Sequence, residues 1–138
     1  MIHFKAHEFV KLSGHSVDIP ISIGVADKIK DLIFELNPVR KRVGKPVVIT
    51  SSYRPSWWEH YKGRSGNSEH TFEGRGAVDV TCLDLSRLLT ELQHTDFTRI
   101  CVYPDMSFIH CDYKFPERGQ RFFIEWDQAS VDDIMEVL

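Results

Sequence analysis

Two short blocks of this chain hold the residues best suited to chemistry. The first runs Asn67-Ser68-Glu69-His70-Thr71-Phe72-Glu73-Gly74-Arg75-Gly76-Ala77-Val78-Asp79, and the second, about thirty residues later, is Phe108-Ile109-His110-Cys111-Asp112. Together they set out His70, Asp79 and His110, in the order of a three-ligand metal site. Three protein ligands leave a tetrahedral zinc ion one open position, which separates a catalytic site from a closed structural one. Zinc lowers the pKa of a water held there to about 7, so the pattern reads as a zinc hydrolase.

Each residue also has a blander reading. A lone loop histidine such as His70 is usually unremarkable. Asp79, between Val78 and Val80, and His110, between Ile109 and Cys111, lie in apolar strand-like runs, pointing away from their neighbours. A carboxylate buried there without a partner is costly. One cation explains all three residues at once. His60, beside Trp57 and Trp58, is the one substitute worth weighing among the other histidines, and it reads better as a surface or substrate-side residue.

These residues need elements to hold them. Apolar positions Val25, Ile29, Leu32, Ile33, Leu36, Val39 and Val43 recur at helical spacing, predicting a helix over 21–43 between Pro20 and Gly44. Pro38 predicts a kink or break near Asn37. Val47 to Thr50 is a β-branched strand. Residues 51–69 read as a long loop, a length that is usually functional. Ala77 to Thr81 alternates as a strand carrying Asp79. Asp84 caps a helix with Leu85, Leu88, Leu89 and Leu92 on one face. Arg99–Tyr103 and Ser107–Tyr113 form a hairpin across Pro104-Asp105, Arg121–Trp126 is a further strand, and Ser130 caps a final helix. The expectation is one α+β domain over 1–138, with helices on one side of a small, mostly antiparallel sheet.

Composition narrows the partners. With 42% hydrophobic and 27% charged residues the chain is an ordinary globular one, large enough for a real core. A net charge of -3 gives no global attraction to nucleic acid or an anionic membrane. The cluster Arg40-Lys41-Arg42 reads as a helix C-terminal cap rather than a binding patch. No run approaches a membrane span and no signal-peptide core is visible, so synthesis in the cytoplasm is expected. Cys82, Cys101 and Cys111 are expected to be buried free thiols in a reducing compartment. Oligomeric state is left open.

The chain resembles the zinc D-Ala-D-Ala carboxypeptidases and L-alanyl-D-glutamate endopeptidases of cell-wall turnover and phage lysis, whose metal-site fold is similar to that of Hedgehog signalling domains. Three blocks carry the likeness: Gly44-Lys45-Pro46-Val47-Val48-Ile49-Thr50-Ser51-Ser52-Tyr53-Arg54-Pro55, then Ser68-Glu69-His70 through Gly74-Arg75-Gly76-Ala77-Val78-Asp79, and last Phe108-Ile109-His110. Phe4 to Phe9 and the helix running into Val39-Arg40 are similar to the small phage-associated branch. The likeness covers most of residues 4–113.

The resemblance implies zinc bound by His70, Asp79 and His110, and a peptidoglycan stem peptide as substrate. It implies that Arg54 orients a substrate carboxylate or the scissile carbonyl, a task suited to a guanidinium fork; the alternative is a surface salt bridge. Ser68 would brace the ligand loop, and Gly74 and Gly76 would let the chain turn into the Asp79 strand. Trp57, Trp58 and Tyr61 either line the groove or pack under the loop. The chain departs from the family in two places. Its His-to-Asp interval is about two residues longer, so Thr71-Phe72-Glu73 must bulge. The positions where many relatives carry their general base hold Ser107 and Phe108, leaving Asp105 or Asp112 for that role, with Asp112 alternatively holding a ligand in place. A non-catalytic zinc-containing binding module, or a phage virion component with this fold, is the rival reading. A phage protein of this branch would act on the cell wall after release or from the virion.

Overall fold

The structure is a computed structural model and describes residues 3–64, 66, 68–114 and the strand at 124–126. The N-terminal segment makes a small hairpin, β1 (Lys11–Leu12) with β2 (His15–Ser16). Its turn residues Ser13 (φ 52°) and Gly14 (φ 78°) both take positive φ, as a type I′ turn requires. Helix α1 spans Ile23–Val43. The Ser22 hydroxyl accepts the Val25 N–H at 3.1 Å to start it, and Gly44, left-handed at φ 72°, ends it. The helix does not break at Pro38. Proline withholds one donor from the Phe34 carbonyl, and Phe34 is 84% exposed, so water can supply another. Asn37 uses its side-chain oxygen to accept the Phe4 N–H at 2.9 Å, tying the N-terminal segment to the helix.

The main sheet contains β3 (Val47–Ser51), β4 (Ala77–Cys82), β5 (Arg99–Tyr103), β6 (Phe108–Asp112) and β7 (Ile124–Trp126), in the order β3-β4-β6-β5-β7. Every pairing is antiparallel except β7, which runs parallel to β5. Helix α3 (Leu85–Leu92) starts where the Asp84 carboxylate accepts the Arg87 N–H. The expected α+β architecture is what the structure shows. The predicted helix after Ser130 and the first residues of the 121–126 strand lie outside the described residues.

Alternation along the strands sorts the sheet into two faces. Val47, Ile49, Val78, Val80, Ile100, Val102, Ile109 and Cys111 join Leu32, Leu36 and Val39 of α1 and Leu88 and Leu92 of α3 in one core. Leu32, Leu36 and Leu88 are fully buried; each contributes roughly 1.5–3 kcal/mol through burial. Asp79, Thr81, Arg99, Cys101, Tyr103, Phe108, His110 and Asp112 alternate with the strands' core residues and so occupy the other face. Core packing therefore dictates which way the polar residues must point. Both arginines of the basic run closing α1 are engaged within the fold, since Arg40 donates to the Val47 carbonyl at 2.8 Å and Arg42 pairs with Glu91 at 2.5 Å. Cys82, Cys101 and Cys111 are free and buried.

Residues 51–69 are not all loop. Helix α2 (Ser56–Tyr61) interrupts them, behind Pro55. The long His70–Asp79 interval is absorbed by a 3-10 turn at Glu69–Thr71, followed by Phe72 in a left-handed conformation (φ 61°) with its ring buried against Tyr53. Of the two glycines expected to allow the turn, only Gly76 has positive φ (104°). A Cβ on Gly76 would sit 3.2 Å from the Phe72 ring and 3.3 Å from Leu32. Gly76→Ala is therefore expected to destabilise the protein by roughly 1–3 kcal/mol, read from denaturant unfolding.

Candidate metal centre

Strand pairing builds most of the site. Asp79 of β4 stands directly opposite His110 of β6, and His110 stands opposite Cys101 of β5. Side chains opposite one another on one sheet face sit about 5 Å apart at their Cβ atoms. His70 comes from outside the sheet, carried on the 3-10 turn. Ser68 caps that turn by accepting the His70 N–H at 3.1 Å, and the Arg54 N–H binds the His70 carbonyl at 2.8 Å. Two ligands are set by register and the third by a capped turn.

The three side chains converge. His70 Nε2 lies 3.2 Å from Asp79 Oδ1 and 3.2 Å from His110 Nδ1, and His110 Nδ1 lies 2.8 Å from Asp79 Oδ1. One donor atom from each residue falls within 4.8 Å of the others. Donors bound at 2.0–2.1 Å to a tetrahedral zinc stand about 3.3 Å apart. Two of the three separations match that figure, and the third is a tighter hydrogen bond.

The outer nitrogens fix which atoms face inward. His70 Nδ1 lies 2.6 Å from the Ser52 carbonyl, which can only accept, so Nδ1 carries the proton and Nε2 presents its lone pair. His110 Nε2 lies 2.6 Å from Asp112 Oδ2, so its proton sits there and Nδ1 is turned to the site. Asp112 is fully buried; it accepts from Arg99 through Nε and Nη2 and from the Lys114 N–H. A carboxylate behind a ligand histidine orients it and raises its basicity.

Electrostatics also favours a cation here. Burial alone would raise Asp79, but His110 and His70 beside it hold its carboxyl well below the usual carboxylate range. Burial disfavours a charged His110, yet Asp112 and Asp79 outweigh it and push its pKa up to about 9. Two carboxylates thus draw a proton onto His110. A divalent ion would satisfy the same pair with both imidazoles neutral. The oxygen and two nitrogens available are a donor set that zinc takes.

The trio opens into a cavity of about 280 Å³, walled by Arg54 and Ser68 on the loop side and by Arg99, Cys101, Tyr103 and Phe108 on the sheet side. Arg54 makes an ion pair, but with a buried glutamate rather than at the surface. It lines the cavity while its Nε donates to Glu59 Oε1 at 3.2 Å and Nη1 donates to Ser51 Oγ at 2.9 Å. Trp57 and Tyr61 lie on α2 at 57% and 76% exposure, and neither lines this cavity. Neither packs under the loop. Asp105 is exposed on the turn beyond Tyr103 and Phe108 and also stands outside the lining. His60 is exposed. Cys111 faces the core, with burial pushing its thiol well above the ordinary value, so it is not placed to ligate.

Sequence reasoning passed over three residues. Glu59 is fully buried and pairs with Arg54 and Arg64. Its signal was faint: an acid five residues from an arginine on either side. Ser52, whose carbonyl sets the His70 tautomer, acts through its backbone and leaves no trace in residue type. Arg99 looks in the sequence like no more than a strand start, and its place opposite Asp112 is set by strand register.

A profile of the family described as peptidase M15 matches residues 3–112. The chain belongs to the peptidase M15 family. M15 peptidases are zinc-dependent, and the matched span contains His70, Asp79 and His110 together with Arg54 and Asp112. No curated protein and no solved structure gives a significant match.

Proposed function

We propose that this M15 peptidase is a zinc enzyme that hydrolyses amide bonds of peptidoglycan stem peptides, as a D,D-carboxypeptidase or an L-alanyl-D-glutamate endopeptidase. The observation that carries the reading is the convergence of His70 Nε2, Asp79 Oδ1 and His110 Nδ1 at the floor of a cavity walled by Arg54. Zinc, when bound, supplies Lewis acidity at the scissile carbonyl.

The chain's own residues divide the remaining work. Arg54 offers its guanidinium to a substrate carboxylate or to the carbonyl oxygen as charge develops there. Glu59 and Ser51 hold that guanidinium in place. Asp112 keeps the proton on His110 Nε2 and so serves as a positioning residue, because its oxygens are already occupied by Arg99, His110 and the Lys114 N–H. Of the two aspartates considered as general base, Asp105 is the one left with a side chain open to solvent; it would have to swing in from the β5–β6 turn. Arg54→Ala is expected to lower turnover at least about tenfold, about 1.4 kcal/mol of barrier. It is also expected to lower the melting temperature, because the buried Glu59 loses one of its two cations. Arg54→Lys keeps the charge without the fork and is expected to recover only part of either.

A second reading, a zinc-containing binding module without catalysis, is favoured by one observation. Among the described residues, Asp79 is the only carboxylate lining the cavity. Metal analysis of the purified protein, combined with mass spectrometry of peptidoglycan digested by it, separates the two. One zinc per chain with released D-alanine or stem-peptide fragments is the expected result. Zinc with no released fragment rejects the enzyme and leaves the module.

A further inference from the structure

A second cavity, of about 260 Å³, lies on the other side of Arg54. Four cationic side chains line it: Lys11 from β1, Arg54, and Lys62 and Arg64 from just beyond α2. Among the described residues its lining holds no acid. The buried Glu59 behind the wall is the one carboxylate bound to the two arginines, accepting from Arg54 Nε at 3.2 Å and from Arg64 Nε at 2.7 Å. Among the described residues, four positive charges against one negative leave an excess of three facing a small space. The chain as a whole carries a net charge of -3, so this concentration runs against the global balance.

The other contacts of these cations hold their head groups without neutralising them. Lys11 Nζ donates to the Ile49 carbonyl at 2.6 Å, and Lys62 Nζ stands 5.0 Å from the centre of the Trp58 ring. Like charges gathered this way repel, and an anion entering the space relieves them. The Ser51 hydroxyl, which accepts from Arg54 Nη1, keeps its own proton to offer on the same wall. Arg54 is common to both cavities, so one side chain separates an anion held in the second from the space above the metal trio.

We infer that this cavity is a substrate subsite for a carboxylate carried within about two residues of the scissile amide, a reach of roughly 7 Å of extended chain. The inference rests on the peptidase reading and adds a specificity element to it. Lys11, Lys62 and Arg64 receive the carboxylate, while Glu59 holds the two guanidinium groups in register with it.

The test uses the zinc-loaded full chain and stem-peptide analogues whose scissile amide is replaced by a non-cleavable ketomethylene. In each analogue one free carboxylate near the scissile position is converted to the uncharged carboxamide. Calorimetry is expected to show one conversion weakening binding to the wild type by about tenfold, the effect of losing one charge-assisted contact. In Lys62→Met and in Lys11→Met, which keep the apolar stem, that ratio is expected to fall to about threefold or less. Melting temperature and zinc content of each variant show that it has folded. Equal binding of every carboxylate and carboxamide pair by the wild type, no binding of any, or an undiminished ratio in both variants overturns the subsite. Cleavage of the matching natural peptide judges the enzyme separately. Cleavage without carboxylate preference rejects only the subsite, and preference without cleavage rejects only the enzyme.

Discussion

Alanine in place of His70, Asp79 or His110 is expected to empty the metal centre, taking bound zinc from one per chain to near zero. Turnover is expected to fall by a factor on the order of a thousand or more, roughly 4 kcal/mol of barrier. The folding consequences differ among the three. Asp79→Ala removes the largely buried carboxylate on which both imidazoles converge, and its melting temperature is expected to fall with the loss of that pairing. His70→Ala hollows out a buried position and leaves the Ser52 carbonyl without its donor, so a loss of roughly 1–3 kcal/mol is expected. His110→Ala leaves Asp112 still held by Arg99. Elemental analysis beside thermal unfolding reads both effects. Zinc content equal to wild type in all three variants would mean that the metal is bound elsewhere or that none is bound specifically.

Asp112 is expected to give the largest stability effect among the site carboxylates. Its side chain is fully buried and accepts from Arg99, His110 and the Lys114 N–H, so Asp112→Ala removes a buried acceptor from three donors at once and is expected to cost about 3–5 kcal/mol. Asp112→Asn is milder in shape but cannot hold the proton on His110 Nε2, and zinc affinity is expected to fall about ten- to a hundredfold. Asp105→Asn is expected to behave oppositely, with zinc and stability unchanged and hydrolysis reduced on the order of a hundredfold if Asp105 serves as base. Matching zinc affinities in Asp112→Asn and wild type would reject the positioning role. The pH dependence follows the same carboxylate. Burial would raise Asp112, but His110 and Arg99 hold it below the usual range. Its contribution is therefore complete above the unfolded value near 3.9 and is lost as the pH falls below it.

The sheet strands and two main helices were readable because their burial is periodic. Leu32, Leu36 and Val39 recur at helical spacing, and Val78 and Val80 flank Asp79 at strand spacing; both patterns follow directly from which side meets the core. Asp79 and His110 were readable for the same reason, since a polar residue inside an apolar alternation announces the other face; His70, on a turn outside the sheet, has no such signal and stands out only through its order ahead of them and the Ser68-Glu69-His70 block. Helix α2 was not readable. Its six residues bury little besides Glu59, and the surrounding Ser, Gly and Pro hide one and a half turns. The β1–β2 hairpin has strands of two residues, too short for any alternation to register, although Ser13-Gly14 marks its turn. Pro38 predicted an interruption that the helix bridges, because packing of Leu36, Val39 and Val43 outweighs one lost hydrogen bond. The parallel placement of β7 depends on a connection whose course no local pattern specifies. Roles that depend on partners far apart in sequence, such as Arg99 with Asp112, become visible only once register is known.

The cross-strand row of Asp79 and His110 separates what can vary in this chain from what cannot. Residues between His70 and Ala77 lie outside the sheet, so extra ones can be taken up by a tighter or looser excursion, as the buried turn of Phe72 already does. Counting parity within the strands has no such slack. One residue added between Ala77 and Asp79, or between Phe108 and His110, would turn that ligand toward Leu32 and Leu36 and bring a valine or isoleucine to the metal. Length changes are therefore tolerable in the connections and forbidden, in odd steps, inside the pairing. A relative with an unfamiliar gap between its first histidine and its aspartate can keep the same centre, whereas one with a shifted strand cannot.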